Sequence, residues 1–492
     1  MDKKSSHAKV IPIKLVSSPT SAASSSDDLV SLYQEQGKIY SRSVGGLFAR
    51  LRWVMVWVTQ LVFYGIPWLQ WNDRQAVLFD LANGRFFIFG LVLHPQDLIY
   101  LAVLLVLAAL TLFFFTAVAG RLWCGYACPQ TVYTGIFLWM ERITEGDRLA
   151  RMRLDKAPWG LEKISRKSAK QALWISLSLF TGFTFVGYFT PIHNLADELI
   201  TLSLSPWEWF WVLFYGFATY GNAGYMREQI CKQMCPYARI QSALTDMDSM
   251  VIAYDTERGE SRGSRARTAD TKALGLGDCI DCTLCVQVCP TGIDIRNGLQ
   301  SNCIGCAACI DVCDTVMAQM NYPLGLVRFS TQNGLDQGWD KPTLLKRVLR
   351  QRVLIYGALL LLATSAFVTS VSQRSPVRMD VVRDRGVIAR VVNNGEVENI
   401  YRLHLMNASE ANQRYQVSVR GTDGLALVAP LTVALGPVEA QTVPVAVRLD
   451  SARAAVFSGQ TLPFEFEVTQ LTPRVDDLQA RVREKTTFHV PR

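Results

Sequence analysis

Eight of the 12 cysteines fall in one stretch, Asp278 to Asp314. They are Cys279, Cys282, Cys285 and Cys289 with Pro290 behind them, then Cys303, Cys306, Cys309 and Cys313. This is a doubled C-x2-C-x2-C-x3-C run. Thiolates at that spacing hold [4Fe–4S] cubanes, three close ligands taking three irons while the fourth ligand comes from the other run. The expected sets are therefore Cys279, Cys282, Cys285 and Cys313 for cluster one, and Cys303, Cys306, Cys309 and Cys289 for cluster two. Zinc needs only two C-x2-C pairs per ion and would leave the x3-spaced cysteines and Pro290 without a reason.

The other four cysteines come as two similar pairs, Cys124 and Cys128 before Pro129, and Cys231 and Cys235 before Pro236. Two copies of C-x3-C-P point to an internal duplication. On a helical turn, i and i+4 share a face, and the proline marks a bend or boundary. Packing the two copies together would converge four thiols as candidate catalytic and metal-binding groups. Soft thiolates suit Cu(I), with Met234 as a weaker thioether neighbour. A reversible dithiol–disulfide couple, a third iron–sulfur centre, and plain burial of a small apolar residue are the alternatives.

The elements that carry these cysteines follow from composition. Half of the 492 residues are hydrophobic and only 19% are charged, which indicates a multidomain membrane protein. Five segments have roughly the 20-residue length needed to span a bilayer: Trp53 to Trp71, Leu98 to Val118, Ala172 to Phe189, Trp207 to Tyr225 and Val353 to Val371. The 121–170 loop carries Arg121, Arg142, Arg148, Arg151, Arg153, Lys156, Lys163, Arg166, Lys167 and Lys170, whereas the 190–206 loop carries no Lys or Arg and holds Asp197 and Glu198. By the positive-inside rule the N-terminus, the 121–170 loop and the 227–352 segment are cytoplasmic, and the chain after Val371 is outside. Each C-x3-C-P pair then lies just past the cytoplasmic end of a span, the second and the fourth. The formal charge of +8 is spread over loops, with no basic stripe interleaved with aromatics, so nucleic-acid binding is excluded.

The expected organisation is a disordered cytoplasmic tail over 1–45, a four-span membrane domain over 46–245, a cytoplasmic two-cluster ferredoxin-like domain over 246–345, a fifth transmembrane helix over 346–373, and a periplasmic immunoglobulin-like β-sandwich over 374–492. The tail is Ser-rich with no apolar core or cleavage site. Between the first two spans, short apolar runs broken by Asp80, Asn83, Gly84 and Arg85 predict an interfacial hairpin and not a sixth span. The sandwich is read from period-two runs at Tyr415–Arg420, Thr442–Leu449 and Phe464–Val468; it contains no cysteine. His94 and His193, both on the outer side, are weak candidates for a metal or quinone. His7, His404 and His489 carry less, and the sequon at Asn407 is given no weight.

With these residues in place, the whole chain resembles the CcoG family, also called FixG or RdxA, bacterial accessory proteins of cbb3-type cytochrome c oxidase biogenesis. The likeness covers the five-span order, both C-x3-C-P pairs, the double ferredoxin motif and the C-terminal domain. It implies reduction of Cu(II) to Cu(I) in the bacterial inner membrane, with membrane lipid, oxidase assembly components or copper-handling proteins as partners and an electron donor of unknown identity. The C-x3-C-P pairs with ferredoxin motifs also resemble the NapH-like quinol-oxidising ferredoxins. Those elements alone therefore leave a quinol-oxidising electron carrier, or a non-catalytic docking factor, as alternative functions. Asp278, Asp281, Asp294, Asp311 and Asp314 place negative charge around the clusters and are expected to lower their potentials. Asp314 stands where a proline often follows the last cysteine.

Overall fold

The computed structural model describes residues 38–269, 274–383, 389–392, 395–471 and 480–492. Most of the expected tail, 1–37, lies outside the described residues.

All five apolar segments are helical. They form α1 (Leu47–Gly65), α2 (Leu98–Ala119), α5 (Leu161–Val186), α6 (Pro206–Thr219) and α9 (Gln351–Ser372). Among the described residues only α2 and α9 are long and apolar enough to cross a membrane by those two measures. The other three depart from the expected boundaries for local reasons. The first starts earlier and stops at Gly65, because Pro67 opens a short 3-10 turn and Trp71 belongs to a β-strand. Helix α5 begins inside the charged stretch that holds Glu162, Lys163, Arg166, Lys167 and Lys170. Helix α6 is capped by Ser205, whose side chain accepts from Glu208 N while Glu208 reaches back to Ser205 N, and it continues as a π-helix over Tyr220–Met226.

Small residues set the helix contacts. A Cβ on Gly182 of α5 would lie 2.2 Å from Val212 O and 2.9 Å from Gly216 N of α6, so these backbones meet directly. Helices α2 and α9 run antiparallel: Tyr100 at the start of one meets Ser370 at the end of the other, while Arg350 donates to Ala117 O.

Where a hairpin is expected between the first two apolar segments, the chain forms a three-stranded antiparallel sheet, Val77–Asp80, Arg85–Ile88 and Leu91–Leu93, one strand more than a hairpin. Gln75 ties it to the helices, donating to Gly187 O and accepting from Ile192 N. Leu78, Phe87 and Val92 pack on Val438 of the C-terminal domain. Beside them, buried Asp97 binds Arg374 and Arg378. The C-terminal domain is a sandwich of a five-stranded and a four-stranded antiparallel sheet, whose predicted strands widen to Gln413–Gly421, Ala440–Leu449 and Thr461–Gln470. Its core centres on Tyr401, Tyr415, Phe464, Phe466 and Phe488.

Between the fourth and fifth apolar segments, strands Val251–Tyr254 and Val327–Ser330 pair and close off the cysteine-rich loops. These loops feed a short helix, Leu284–Gln287, and α8 (Ala308–Met320). Short helix α3 (Leu122–Tyr126) leads into α4 (Pro129–Glu145), and α7 (Pro236–Leu244) follows the second C-x3-C pair.

Candidate iron–sulfur and thiol site

The two cysteine runs fold alike. In the first, Asp281 and Thr283 on either side of Cys282 take left-handed backbone conformations (φ 52° and 55°); in the second, Gly305 and Ala307 flank Cys306 in the same way (φ 70° and 59°). Three of these four residues are not glycine, and each such position costs on the order of 1 kcal/mol that the surrounding fold must impose. The repeated curl turns each C-x2-C-x2-C segment about its own cavity. One cavity is lined by Cys279, Cys282, Cys285 and Cys313. The other is lined by Cys289, Cys303, Cys306 and Cys309, and it also touches Cys285. The fourth thiol of each group comes from the opposite run. Four thiols about each cavity, three from one run and one from the other, fit the ligand set of a [4Fe–4S] cluster.

Desolvation dominates the acidity of these thiols. Burial pushes Cys285 up to about 11 and both Cys303 and Cys313 up to about 12. As free thiols these three are protonated at neutral pH, and metal binding must release those protons. Around the first cavity Arg296 pairs with both Asp281 and Asp294, so two of the expected negative charges are neutralised locally. Asp311 does different work: its carboxylate accepts from Phe48 N at 3.1 Å and Ala49 N at 2.7 Å and so docks the start of α1 on the ferredoxin domain.

The C-x3-C-P pairs depart from the expected helical turn. Cys124 lies in α3 and Cys231 in the π-helical turn Ile230–Met234, but Cys128 and Cys235 are extended (ψ 127° and 110°) and cap the helices that begin at Pro129 and Pro236. The residue before a proline is driven out of the helical region by the pyrrolidine ring, so an i, i+4 pair on one continuous helix is replaced by a helix-to-cap corner. The four thiols nevertheless influence one another. Burial, then Cys128, Cys124 and Cys235, pushes Cys231 up to about 12; burial and Cys128 push Cys124 up to about 11. Cys124 Sγ also donates to Oε1 of fully buried Gln241 at 3.3 Å. Met234 is 59% exposed. His94 is buried beside Asp97, whereas His193 stacks edge-on against Trp68, so the two histidines belong to separate surroundings.

The first pair touches the second cavity through backbone. A Cβ on Gly125 would lie 2.8 Å from C and O of Gly305 and 2.9 Å from Cys306 N. Cys124 and Cys231 pack with Val288, Ile304 and Cys306. Arg121 holds the junction, with Nη1 3.5 Å from Cys303 O and Nη2 donating to Ala238 O and Ser242 Oγ on α7. Sequence reading counts Arg121 only as a topology charge and passes over Gly125, Gly305 and Gln241. Gly125 inside the first C-x3-C had one signal, a glycine where a helix former is expected.

A ferredoxin-like double cysteine motif joined to apolar helices and an immunoglobulin-like sandwich defines an iron–sulfur redox protein. Residues 226–332 match the family model for a 4Fe-4S dicluster domain, and residues 101–145, with Cys124 and Cys128, match a 4Fe-4S binding domain. Residues 367–491 match the immunoglobulin-like fold at the C-terminus of FixG. Protein RdxB of Cereibacter sphaeroides is 38% identical over 93% of this chain and 97% of its own length. Protein RdxA of the same organism is 40% identical over 80% and 84%, and nitrogen fixation protein FixG of Rhizobium meliloti is 35% identical over 79% and 80%. The chain belongs to the FixG/Rdx family.

Proposed function

We propose that this chain is a membrane-bound reductase that binds two [4Fe–4S] clusters and reduces Cu(II) to Cu(I) at Cys124, Cys128, Cys231 and Cys235. Cys279, Cys282, Cys285 and Cys313 would hold one cluster, and Cys289, Cys303, Cys306 and Cys309 the other. When bound and reduced by a cytoplasmic or quinol donor, the clusters would supply the one electron that each Cu(II) takes up. The observation that carries the reading is the contact of Gly125 with Gly305 and Cys306, which joins the element bearing the first C-x3-C pair to the loop of the second cluster cavity. Arg121 keeps that junction closed by gripping Cys303 O and α7 together.

Copper enters this reading as substrate. Thiolates prefer Cu(I), so the groups that receive Cu(II) also stabilise the product. Burial raises the pKa of Cys124 and Cys231, so copper binding there releases protons, and the charge of Arg121 offsets part of that rise at both. The five apolar helices are read as spans, with the ferredoxin domain cytoplasmic and the sandwich outside. The sandwich offers a surface for oxidase assembly components or copper-handling proteins.

The test is Cu(II) reduction by purified protein carrying Cys231→Ala and Cys235→Ala. The expected result is loss of turnover with cluster absorbance kept; a wild-type rate would remove these residues from the mechanism. A second reading is favoured by the match of residues 101–145 to a 4Fe-4S binding domain: the four thiols would then hold a third cluster. Iron counting on anaerobically purified protein separates the two, since the same double variant would then lose a third of its iron.

A further inference from the structure

Arg42, Arg52 and Arg142 line one cavity of about 160 Å3, which lies between the 41–44 segment, α1, α3, α4 and Val288 and Pro290 of the ferredoxin domain. Among the described residues none of the three has a carboxylate partner. Nε of Arg52, the hydroxyl of Tyr126 and Oγ1 of Thr131 are buried there without a hydrogen-bond partner. Among the described residues the one carboxylate on the wall, Asp147, already accepts from Ser43 N at 3.0 Å and Ser43 Oγ at 2.9 Å. The fourth guanidinium, Arg151, is held by Glu141 at 2.6 Å. Among the described residues positive charge thus exceeds negative on this wall: Arg42 and Arg142 are exposed at its mouth and Arg52 is half-buried, while Nε of Arg52 and the two hydroxyls lack partners inside it, which is costly for buried polar atoms.

The same cavity has an apolar side. Trp53 and Trp139 line it edge-to-face, with ring centroids 6.2 Å apart. From there the face of α1 continues outward through Val54, Trp57 and Leu61, which are 56%, 64% and 66% exposed. Tryptophan beside arginine is the composition of a membrane–water interface, and guanidinium forks match phosphate oxygens. We propose that this cavity binds the phosphate of an anionic phospholipid, with its acyl chains lying along α1. Val288 and Pro290 on the wall flank Cys289, so the lipid would seat the ferredoxin domain against the membrane helices. The inference rests on the membrane placement proposed above.

The test titrates the full-length protein in detergent with phosphatidylglycerol, phosphatidylcholine or inorganic phosphate and counts bound ligand by native mass spectrometry. Wild type should bind phosphatidylglycerol preferentially. R52Q/R142Q should bind it about thirtyfold more weakly, from two charges at about 1 kcal/mol each. R52K/R142K, which keeps the charge and loses the guanidinium fork, should bind it with intermediate affinity, the exposed-site control R50Q/R153Q should retain it, and cluster absorbance should be intact in all. Equal binding of phosphatidylglycerol by wild type and R52Q/R142Q, or equal binding of the two lipids by wild type, would overturn the proposal. So would displacement of the lipid by inorganic phosphate, which would assign the cavity to the free anion. Flotation with phosphatidylcholine vesicles reports membrane insertion separately. Wild type and R52Q/R142Q should both float, and failure of both would overturn the membrane reading itself.

Discussion

Gly125→Ala probes the junction between the C-x3-C thiols and the second cluster cavity. The added Cβ would stand 2.8 Å from C and O of Gly305, where ordinary contact begins at 3.4 Å, so the two elements must part by roughly 0.6 Å, the difference 3.4 − 2.8. Both neighbours are backbone, and no flexible side chain can yield. Overpacking of this kind costs about 1–3 kcal/mol. A displacement approaching 1 Å can cost up to about a hundredfold in rate, so Cu(II) reduction per mole of iron should fall about tenfold while cluster absorbance and iron content persist. The measurement pairs that rate with thermal unfolding in detergent, using Gly160→Ala as control because a Cβ there meets nothing within 4 Å. Gly125→Ala with wild-type reduction and an unchanged unfolding curve would refute the argument that backbone contact couples the two sites.

Two further perturbations test the scaffold. Glu141 is 2% exposed and binds Arg151 at 2.6 Å and Arg227 at 2.7 Å, so Glu141→Gln should leave two guanidiniums without their shared counter-charge and destabilise the chain by about 3–5 kcal/mol, read as a drop in Tm. Burial raises the Glu141 pKa, but Arg227, Arg151 and Lys170 outweigh it and hold the carboxyl below its ordinary range. Its stabilisation is therefore complete above that range and lost as pH falls through the depressed value, and Glu141→Gln should flatten the acid side of a stability-against-pH curve. In the sandwich, fully buried Asn407 donates to Ala411 O and Gly436 O, both at 2.8 Å, and accepts from Tyr415 at 3.0 Å. Asn407→Ala should cost about 3 kcal/mol through these unpaired groups, seen as an earlier unfolding transition; no change in Tm would contradict it.

The buried role of Asn407 shows one limit of sequence reading: an N-x-S string is the same whether the asparagine faces solvent or holds three strands' ends together. Charge patterns were limited in a similar way. The aspartates near the cluster motif all count as −1 in sequence, yet in the fold Arg296 neutralises Asp281 and Asp294 while Asp311 caps α1. Helix identity was legible for all five apolar segments because apolarity over some 20 residues leaves the backbone no better way to satisfy its hydrogen bonds. Their ends were less so, since Pro67, the charged start of α5 and the π-helical continuation of α6 act through local geometry and packing.

The sequence by itself determined the grouping of the cluster cysteines. Ligand spacing there is short, so the crossed partition of Cys289 and Cys313 is an expectation of the motif alone, and the fold lines its two cavities with those groups. It also determined that Cys124, Cys128, Cys231 and Cys235 form a duplicated set. Only the tertiary structure decided how that set meets the ferredoxin domain. The contacts of Gly125 with Gly305, of Arg121 with Cys303 and Ser242, and of Asp311 with α1 all join residues more than 100 positions apart. They depend on close backbone approach and on which buried donors lack a nearer acceptor, and neither property is written in local composition or period.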